Sequence, residues 1–203
     1  MSDGANIVYI VDDDEAVRDS LCFLLKSVGI VGHGFSSGNE FLNAYDADWQ
    51  GCILLDIRMP GISGMEVQRQ LSERSCSLPI IFITGHGDIP MAVEAMHLGA
   101  YDFIQKPFHD QDLLDRIQQA LATYRESQDE LTLKNEVQER YEKLTPRERE
   151  VMEAVVRGHA NKVIAMDLEL SQRTVEIHRA RVMEKMQARS LASLVKYSLL
   201  LSS

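Results

Sequence analysis

Positions 53–61 read Ile-Leu-Leu-Asp-Ile-Arg-Met-Pro-Gly, an apolar run that ends on one carboxylate and then turns. Consecutive apolar residues predict a buried strand, and the Pro-Gly pair predicts a turn after it. Asp56 would therefore lie at the carboxyl end of a strand, the edge at which open α/β sheets hold their ligands. The alternative is that Asp56 only caps the next helix or hydrogen-bonds the turn.

Four more strands are predicted around this stretch, at 7–11, 32–35, 79–84 and 101–106, of which 32–35 is the weakest, and a helical pattern follows each of them. Because strands that alternate with helices form parallel sheets, residues 1–122 are predicted to fold as an α/β, doubly wound parallel sheet with helices on both faces.

Polar side chains end four of the five predicted strands. Asp12 and Asp13 follow the first, Asp56 ends the third, Thr84 ends the fourth and Lys106 ends the last. Parallel strands end at one edge, so these groups should converge. Crowded carboxylates need a cation, and oxygen ligands suit Mg²⁺. Asp56 could then attack phosphorus while Lys106 and Thr84 contact the transferred group.

Each of these residues also has a purely structural interpretation. Asp13, Asp14 and Glu15 could be the cap and first turn of a helix, and we assign Asp14 and Glu15 mainly to that role. Thr84 alone could be a strand former, and Lys106 alone could extend from a sheet edge into water. The coincidence of four strand ends favours a reactive site.

Charge is distributed unevenly along the chain. Residues 1–124 carry 18 acidic and 7 basic side chains, a net charge of −11, whereas residues 141–203 carry +3 and are the better candidate for nucleic-acid binding. No apolar run is long enough to span a membrane and no secretion signal is present, so we expect the cytoplasm. We interpret Cys22, Cys52 and Cys76 as reduced packing residues because they form no CxxC pair.

A linker is predicted over residues 123–141. The absence of Pro and Gly between positions 107 and 146, together with a loose helical spacing of apolar residues, predicts that the last helix of the first domain continues as a long exposed helix. A flexible tether is the alternative.

The segment 142–203 has the pattern of a helix-turn-helix domain. Thr145 and Glu148 predict a capping box, and Ser171 caps a predicted helix over 172–186 that follows a shorter helix at 161–168. An ordinary small helical bundle is the alternative. One face of the longer helix would enter the major groove, and flanking groups would reach phosphates. The expected DNA contacts are Asn161, Lys162, Arg173, Thr174, Val175, Glu176, Ile177, His178, Arg179, Ala180, Arg181 and Lys185.

The motifs Val-Asp-Asp at 11–13, Leu-Asp-Ile-Arg-Met-Pro-Gly at 55–61, Thr-Gly at 84–85 and Lys-Pro-Phe at 106–108 resemble the receiver domain of two-component response regulators. The resemblance covers residues 5–122. It implies a flavodoxin-like (βα)5 fold in which a sensor histidine kinase phosphorylates Asp56.

The same resemblance implies further roles. Mg²⁺ or Mn²⁺ would be held by Asp13, Asp56 and the backbone carbonyl of Arg58, with Asp12 acting through water. Thr84 and the aromatic position would move on phosphorylation, and the bond before Pro107 would be cis. That aromatic position holds Phe103 here where tyrosine is commoner, which puts a hydroxyl-dependent switch in doubt.

Residues 141–203 resemble the LuxR/GerE-type DNA-binding domain, through Leu-Thr-Pro-Arg-Glu at 144–148, Asn-Lys at 161–162, Thr-Val at 174–175 and His at 178. With the first domain, the chain resembles FixJ-type transcription factors and their StyR/TodT group, which regulates aromatic-hydrocarbon breakdown. This implies a transcriptional activator that binds double-stranded promoter DNA, contacts RNA polymerase and dimerises on phosphorylation. The final helix would dimerise through Leu191, Leu194, Val195 and Leu199.

Two competing functions are disfavoured by the residues. A Mg²⁺-dependent phosphohydrolase with an aspartate nucleophile is the first, but such enzymes resembling the haloacid dehalogenase family place a second acid two residues after the nucleophile, where this chain has Arg58. The second is a DNA-binding protein whose first domain is never phosphorylated, which would require an incomplete pocket.

Overall fold

The computed structural model describes residues 6–85 and 89–202, and the chain divides into two compact units, Met1–Ser127 and Gln128–Ser203. In the first unit strands alternate with helices along the chain, as the apolar runs predict. The elements are β1 (Ile7–Val11), α1 (Glu15–Ser27), β2 (Val31–Phe35), α2 (Gly38–Ala44), β3 (Cys52–Asp56), α3 (Gly64–Glu73), β4 (Ile80–Thr84), α4 (Ile89–His97), β5 (Asp102–Gln105) and α5 (Asp110–Glu142).

The five strands form one parallel sheet in the order β2-β1-β3-β4-β5. Every residue of β3 and β4 is buried, which explains why those two strands are continuous apolar runs. Alternate residues pack on opposite faces, so Leu54 and Ile81 belong to one core and Leu55 and Phe82 to the other. The predicted flavodoxin-like doubly wound fold is confirmed.

Specific residues fix where α1 and α3 begin beside the carboxyl ends of β1 and β3. Asp14 caps α1, since its carboxylate accepts hydrogen bonds from the backbone N–H groups of Ala16 and Val17, as predicted for that residue. Gly64 begins α3 in contact with β3, and a Cβ there would collide with the backbone oxygen of Asp56. Only glycine therefore lets α3 start this close to the strand end.

The 33-residue helix α5 crosses the division between the two units. The segment 123–141 is therefore helical, as predicted. The predicted linker is not exposed throughout, however. Tyr124 packs in the core of the first unit, and Val137, fully buried, packs in the core of the second. Both ends of the segment 123–141 thus belong to folded domains.

The second unit consists of the end of α5 and four further helices. These are α6 (Pro146–Val156), α7 (Asn161–Asp167), α8 (Gln172–Lys185) and α9 (Leu191–Ser202). Thr145 and Glu148 form the predicted capping box of α6, and the Ser171 hydroxyl accepts a hydrogen bond from the backbone N–H of Thr174 at the start of α8. Within the described residues, no helix combines the length and apolar character needed to cross a membrane.

Candidate functional site

The strand ends of the first unit bring two acids and one lysine together. The Lys106 ammonium lies 2.8 Å from Oδ2 of Asp12 and 2.9 Å from Oδ1 of Asp56. Both carboxylates are almost fully buried, whereas about a third of the lysine side chain is exposed. Asp12 follows β1, Asp56 ends β3 and Lys106 follows β5, so parallel pairing alone is enough to make them converge.

Backbone groups fix both carboxylates in place. Oδ1 of Asp12 accepts a hydrogen bond from the backbone N–H of Asp14 at 2.9 Å, and Oδ2 of Asp56 accepts one from the backbone N–H of Arg58 at 2.7 Å. The turn after β3 therefore orients Asp56. Asp56 does not act as a helix cap, because Ser63 caps α3.

Burial and charge act against each other on Asp56. Burial raises the pKa of its carboxyl, and the nearby Asp12 adds to that increase, while the hydrogen bond from Lys106 and its positive charge lower the pKa. The net direction is upward. Burial lowers the pKa of Lys106, but the hydrogen bonds to Asp12 and Asp56 outweigh it and raise the value overall. The lysine therefore stays charged beside the two acids.

Thr84 ends β4 at the same edge of the sheet, and Phe103 lies within β5, three residues before Lys106. Thr84 is buried, and its hydroxyl donates a long 3.5 Å hydrogen bond to the backbone oxygen of Ile104. Phe103 is half-buried and packs against the core that contains Tyr9 and Phe82. The peptide bond between Lys106 and Pro107 is cis, as the resemblance implied.

The predicted metal ligands are only partly brought together. Across residues 6–85 and 89–202, no three His, Cys, Asp or Glu side chains are grouped closely enough to hold a metal ion. Asp13 is exposed, while Asp12 and Asp56 both turn to Lys106. In this arrangement Asp12 and Asp56 share the Lys106 ammonium, and the site of three acids around Mg²⁺ stays a prediction. The hard oxygen donors of this pair, with the adjacent Arg58 peptide, still fit Mg²⁺ chemically.

In the second unit, α8 presents the expected polar face to solvent. Arg173, Glu176, Ile177, Ala180 and Arg181 are all exposed, with Ile177 45% exposed despite its apolar side chain. An exposed isoleucine surrounded by charged residues is more typical of a helix face that contacts another molecule than of one that faces only water.

The other predicted DNA contacts have mixed positions. Lys162 is exposed, and Asn161 accepts a hydrogen bond from Arg179 at 3.0 Å, which links α7 to α8. Thr174 is half-buried and its hydroxyl lies 2.8 Å from that of Ser171. His178 is half-buried, and its Nδ1 has no hydrogen-bond partner in the described part of the chain, so it supports packing more than phosphate contact.

Two of the expected contacts are corrected. Val175 is fully buried in the core of the second unit, so its side chain cannot reach DNA. Lys185 donates a 2.6 Å hydrogen bond to the buried Glu148 carboxylate and a 3.2 Å bond to the backbone oxygen of Lys143. Its ammonium therefore serves the fold of the domain. Helical periodicity gave no sign of this, because Glu148 lies on another helix.

Comparison with known proteins identifies the family of each domain. Residues 8–118 match the response regulator receiver domain, and residues 142–198 match the luxR family of bacterial regulatory proteins. The chain belongs to the response regulator family. It is a two-component response regulator with a LuxR-type helix-turn-helix domain, and the bundle alternative for residues 142–203 is excluded.

Individual relatives of this response regulator match over nearly its whole length. It is 45% identical over 196 residues to the response regulator protein TodT of Pseudomonas putida, which covers 97% of this chain and 86% of TodT. It is 47% identical over 193 residues to the transcriptional regulatory protein FixJ of Azorhizobium caulinodans, covering 95% and 92%. The structure of the response regulator StyR matches with a TM-score of 0.83 at 42% identity, covering 95% of this chain and 98% of StyR. The predicted FixJ-type and StyR/TodT group is confirmed.

The residues predicted to dimerise this regulator are not all on the surface. Leu191 and Leu199 on α9 are exposed, and Val195 is half-buried, but Leu194 is fully buried in the core of its own domain. Leu194 is therefore removed from the predicted dimer contacts.

One supporting residue of the receiver pocket was missed from sequence. Arg18 on α1 donates a 2.7 Å hydrogen bond from Nη1 to the backbone oxygen of Asp12. This charge-assisted bond holds the β1 end beside the pocket. In the sequence, the one indication of this role is that Arg18 lies about one helical turn after the acidic residues 12–15.

Proposed function

We propose that Asp56 is the phosphoacceptor of this response regulator and that its phosphorylation by a sensor histidine kinase controls binding of α8 to promoter DNA. The observation that supports this most directly is the single ammonium shared by Asp12 and Asp56 at the carboxyl edge of the sheet. It places a nucleophilic carboxylate beside a fixed positive charge, which phosphoryl transfer requires.

In the transfer step, a carboxylate oxygen of Asp56 attacks the phosphorus of a phosphohistidine. The new O–P bond forms as the P–N bond breaks, and the leaving imidazole nitrogen retains the bonding electron pair. Lys106 would form an ion pair with the transferred group, since its Nζ already contacts the attacking side chain at 2.9 Å. The Thr84 hydroxyl, which makes only a long bond to Ile104, is available to turn toward the phosphoryl oxygens.

Mg²⁺, or Mn²⁺, is the proposed cofactor. Asp12, Asp13, Asp56 and the backbone carbonyl of Arg58 are the oxygen donors that would hold it. The ion would neutralise charge on the phosphoryl oxygens. Asp12 and Asp56 share the Lys106 ammonium, whose positive charge offsets the repulsion between the two carboxylates.

The output of the switch is proposed to be transcription activation by a homodimer. Leu191, Val195 and Leu199 on α9 supply an apolar face, and α8 supplies the DNA contacts. Contact with RNA polymerase is proposed on the relationship to transcriptional regulators such as FixJ. The chemistry of the chain would be limited to its own phosphorylation and dephosphorylation.

The test is incubation of the purified protein with phosphoramidate and Mg²⁺, followed by intact mass and DNA-binding measurements. We expect one added phosphoryl group, its loss in Asp56→Asn, and its retention in the control Asp19→Asn, which removes an exposed acid of α1. DNA affinity should rise on phosphorylation. A phosphoryl group that persists in Asp56→Asn, or an unchanged DNA affinity, would contradict the proposal.

A further inference from the structure

An aromatic groove of about 610 Å³ lies at the β2 edge of the receiver sheet. Four of its lining residues carry rings, namely Tyr9, His33, Phe35 and Trp49, and a carboxylate, Asp48, joins them. We call this the edge groove. It includes the start of β1 and the segment that precedes β3, whereas Asp56 lies where β3 ends. It is therefore separate from the phosphoacceptor pocket.

The groove lies beside β2, which is an edge strand of the sheet and is followed along the chain by the seven-residue helix α2. Phe35, at the end of the strand, packs edge-on against Phe41 of α2 with ring centroids 5.3 Å apart. Earlier in the strand, His33 is exposed and its ring stacks beside Tyr9, at 6.1 Å between centroids. The His33 ring is thus exposed at the groove, whereas Phe35 and Trp49 are half-buried and Tyr9 is buried.

The wall of the edge groove is held in position by buried contacts. Trp49 stacks on Tyr9 with centroids 4.2 Å apart and ring planes within 9°. The Tyr9 hydroxyl donates to the backbone oxygen of Gln50 at 3.4 Å, and the Tyr124 hydroxyl of α5 donates to that of Trp49, also at 3.4 Å. A ligand would meet a preformed surface, so binding would cost little ordering of the protein.

The charge of the groove selects the class of ligand. Asp48 is exposed and forms no ion pair with any residue that the structure describes. Aromatic faces carry negative electrostatic potential and attract cations, tryptophan most strongly. The surrounding domain adds to this attraction, because residues 1–124 carry a net charge of −11.

We propose that the edge groove binds a small organic cation of the alkylated ammonium class, packed on the rings of His33 and Trp49 and paired with Asp48. The groove volume falls within the range of about 300–1,000 Å³ that small-molecule sites occupy. A mostly aromatic lining with one carboxylate would disfavour anions, and a neutral ligand would leave the Asp48 carboxylate without a charge partner.

Trp49 makes the proposal directly measurable, because it is the single tryptophan of the chain. The experiment titrates the full-length protein with choline at constant ionic strength and follows tryptophan fluorescence. The uncharged isostere 3,3-dimethyl-1-butanol is titrated in parallel. We expect a saturable change with choline, half-complete at a concentration on the order of 1 mM, and binding of the isostere that is at least about fivefold weaker.

Two variants of equal charge complete the test. Asp48→Asn should weaken choline binding by about fivefold, because it removes the charge partner and keeps the shape of the side chain. Asp19→Asn, on α1 outside the groove, should leave binding unchanged. The proposal is wrong if choline gives no saturable change up to about 50 mM, a limit far weaker than the affinity expected for such a site. It is equally wrong if the isostere binds as well as choline, or if Asp48→Asn has no effect.

Discussion

The Lys185 ammonium lies 2.6 Å from the carboxylate of Glu148, a residue 37 positions earlier and only 2% exposed. The same carboxylate accepts a 2.9 Å hydrogen bond from the backbone N–H of Thr145, which completes the cap of α6. Lys185 also donates to the backbone oxygen of Lys143, just after α5. The end of the proposed recognition helix is thus tied to the segment that joins α5 and α6.

Lys185→Met is expected to lower the free energy of unfolding of the helix-turn-helix domain by about 2 kcal/mol, because it leaves a buried carboxylate without its charge partner. Urea unfolding at pH 7, followed by far-UV circular dichroism, measures this. Lys162→Met is the matched control, since Lys162 is exposed on α7. Equal stability of the two variants would contradict the structural role of Lys185.

Acid should weaken the same domain through Glu148. Burial raises the pKa of this carboxyl, but the hydrogen bonds from Lys185 and Thr145 outweigh it and hold the pKa below its usual value. A carboxyl with a lowered pKa stabilises the fold above its unfolded pKa of about 4.3, and this contribution is lost as pH falls through the folded value. Glu148→Gln should therefore show a flatter loss of stability below about pH 5 than the native chain. A slope that matches the native chain would exclude the ion pair as the cause.

Asp56→Asn is expected to raise the free energy of unfolding of the receiver domain at pH 7 by about 1 kcal/mol. This is the typical cost of burying a polar group whose interactions with water are only partly replaced. Because burial raises the pKa of Asp56, ionising this carboxyl at neutral pH costs more in the folded chain than in the unfolded chain. The difference should disappear as pH falls below about 4, where the carboxyl is protonated in both the folded and the unfolded chain.

Trp49 fluorescence reports this unfolding, since it lies in the receiver domain. Asp110→Asn, at the exposed start of α5, serves as the control. A destabilising effect of Asp56→Asn at pH 7 would show that the Lys106 ion pair outweighs burial.

The receiver pocket could be predicted because its geometry follows from strand order. Asp12, Asp56 and Lys106 each stand at the end of a strand, and parallel strands end together. The orientation of individual side chains on helices was less predictable. Lys185 and Leu194 lie at positions that periodicity allows on a surface, yet one binds Glu148 and the other is fully buried. Their partners are distant in sequence, and no local pattern encodes such contacts.

Glu176 is expected to influence which base pairs the regulator prefers, because it is exposed in the middle of the solvent-facing side of α8. Glu176→Gln keeps the size of the side chain but replaces a carboxylate, which only accepts hydrogen bonds, with an amide, which both donates and accepts them. Selection of bound duplexes from a random library should give a different consensus for the variant, with an energy change of about 1–3 kcal/mol at the affected position. An unchanged consensus would remove Glu176 from the base-reading residues.

Arg181 and Lys185 separate phosphate contact from structural support on the same helix. Arg181 is exposed, so Arg181→Ala should weaken DNA binding to all sequences and reduce the slope of log affinity against log salt by about 1. Lys185→Met should leave this slope unchanged, provided that it is measured at a temperature where the domain stays folded. In the native chain the Lys185 ammonium is bound to Glu148, so it does not contact a DNA phosphate and releases no counterion there. The measurement is a fluorescence-anisotropy titration of a selected duplex at several salt concentrations. A reduced slope in Lys185→Met would restore this lysine to the phosphate contacts, and an unchanged slope in Arg181→Ala would remove Arg181 from them.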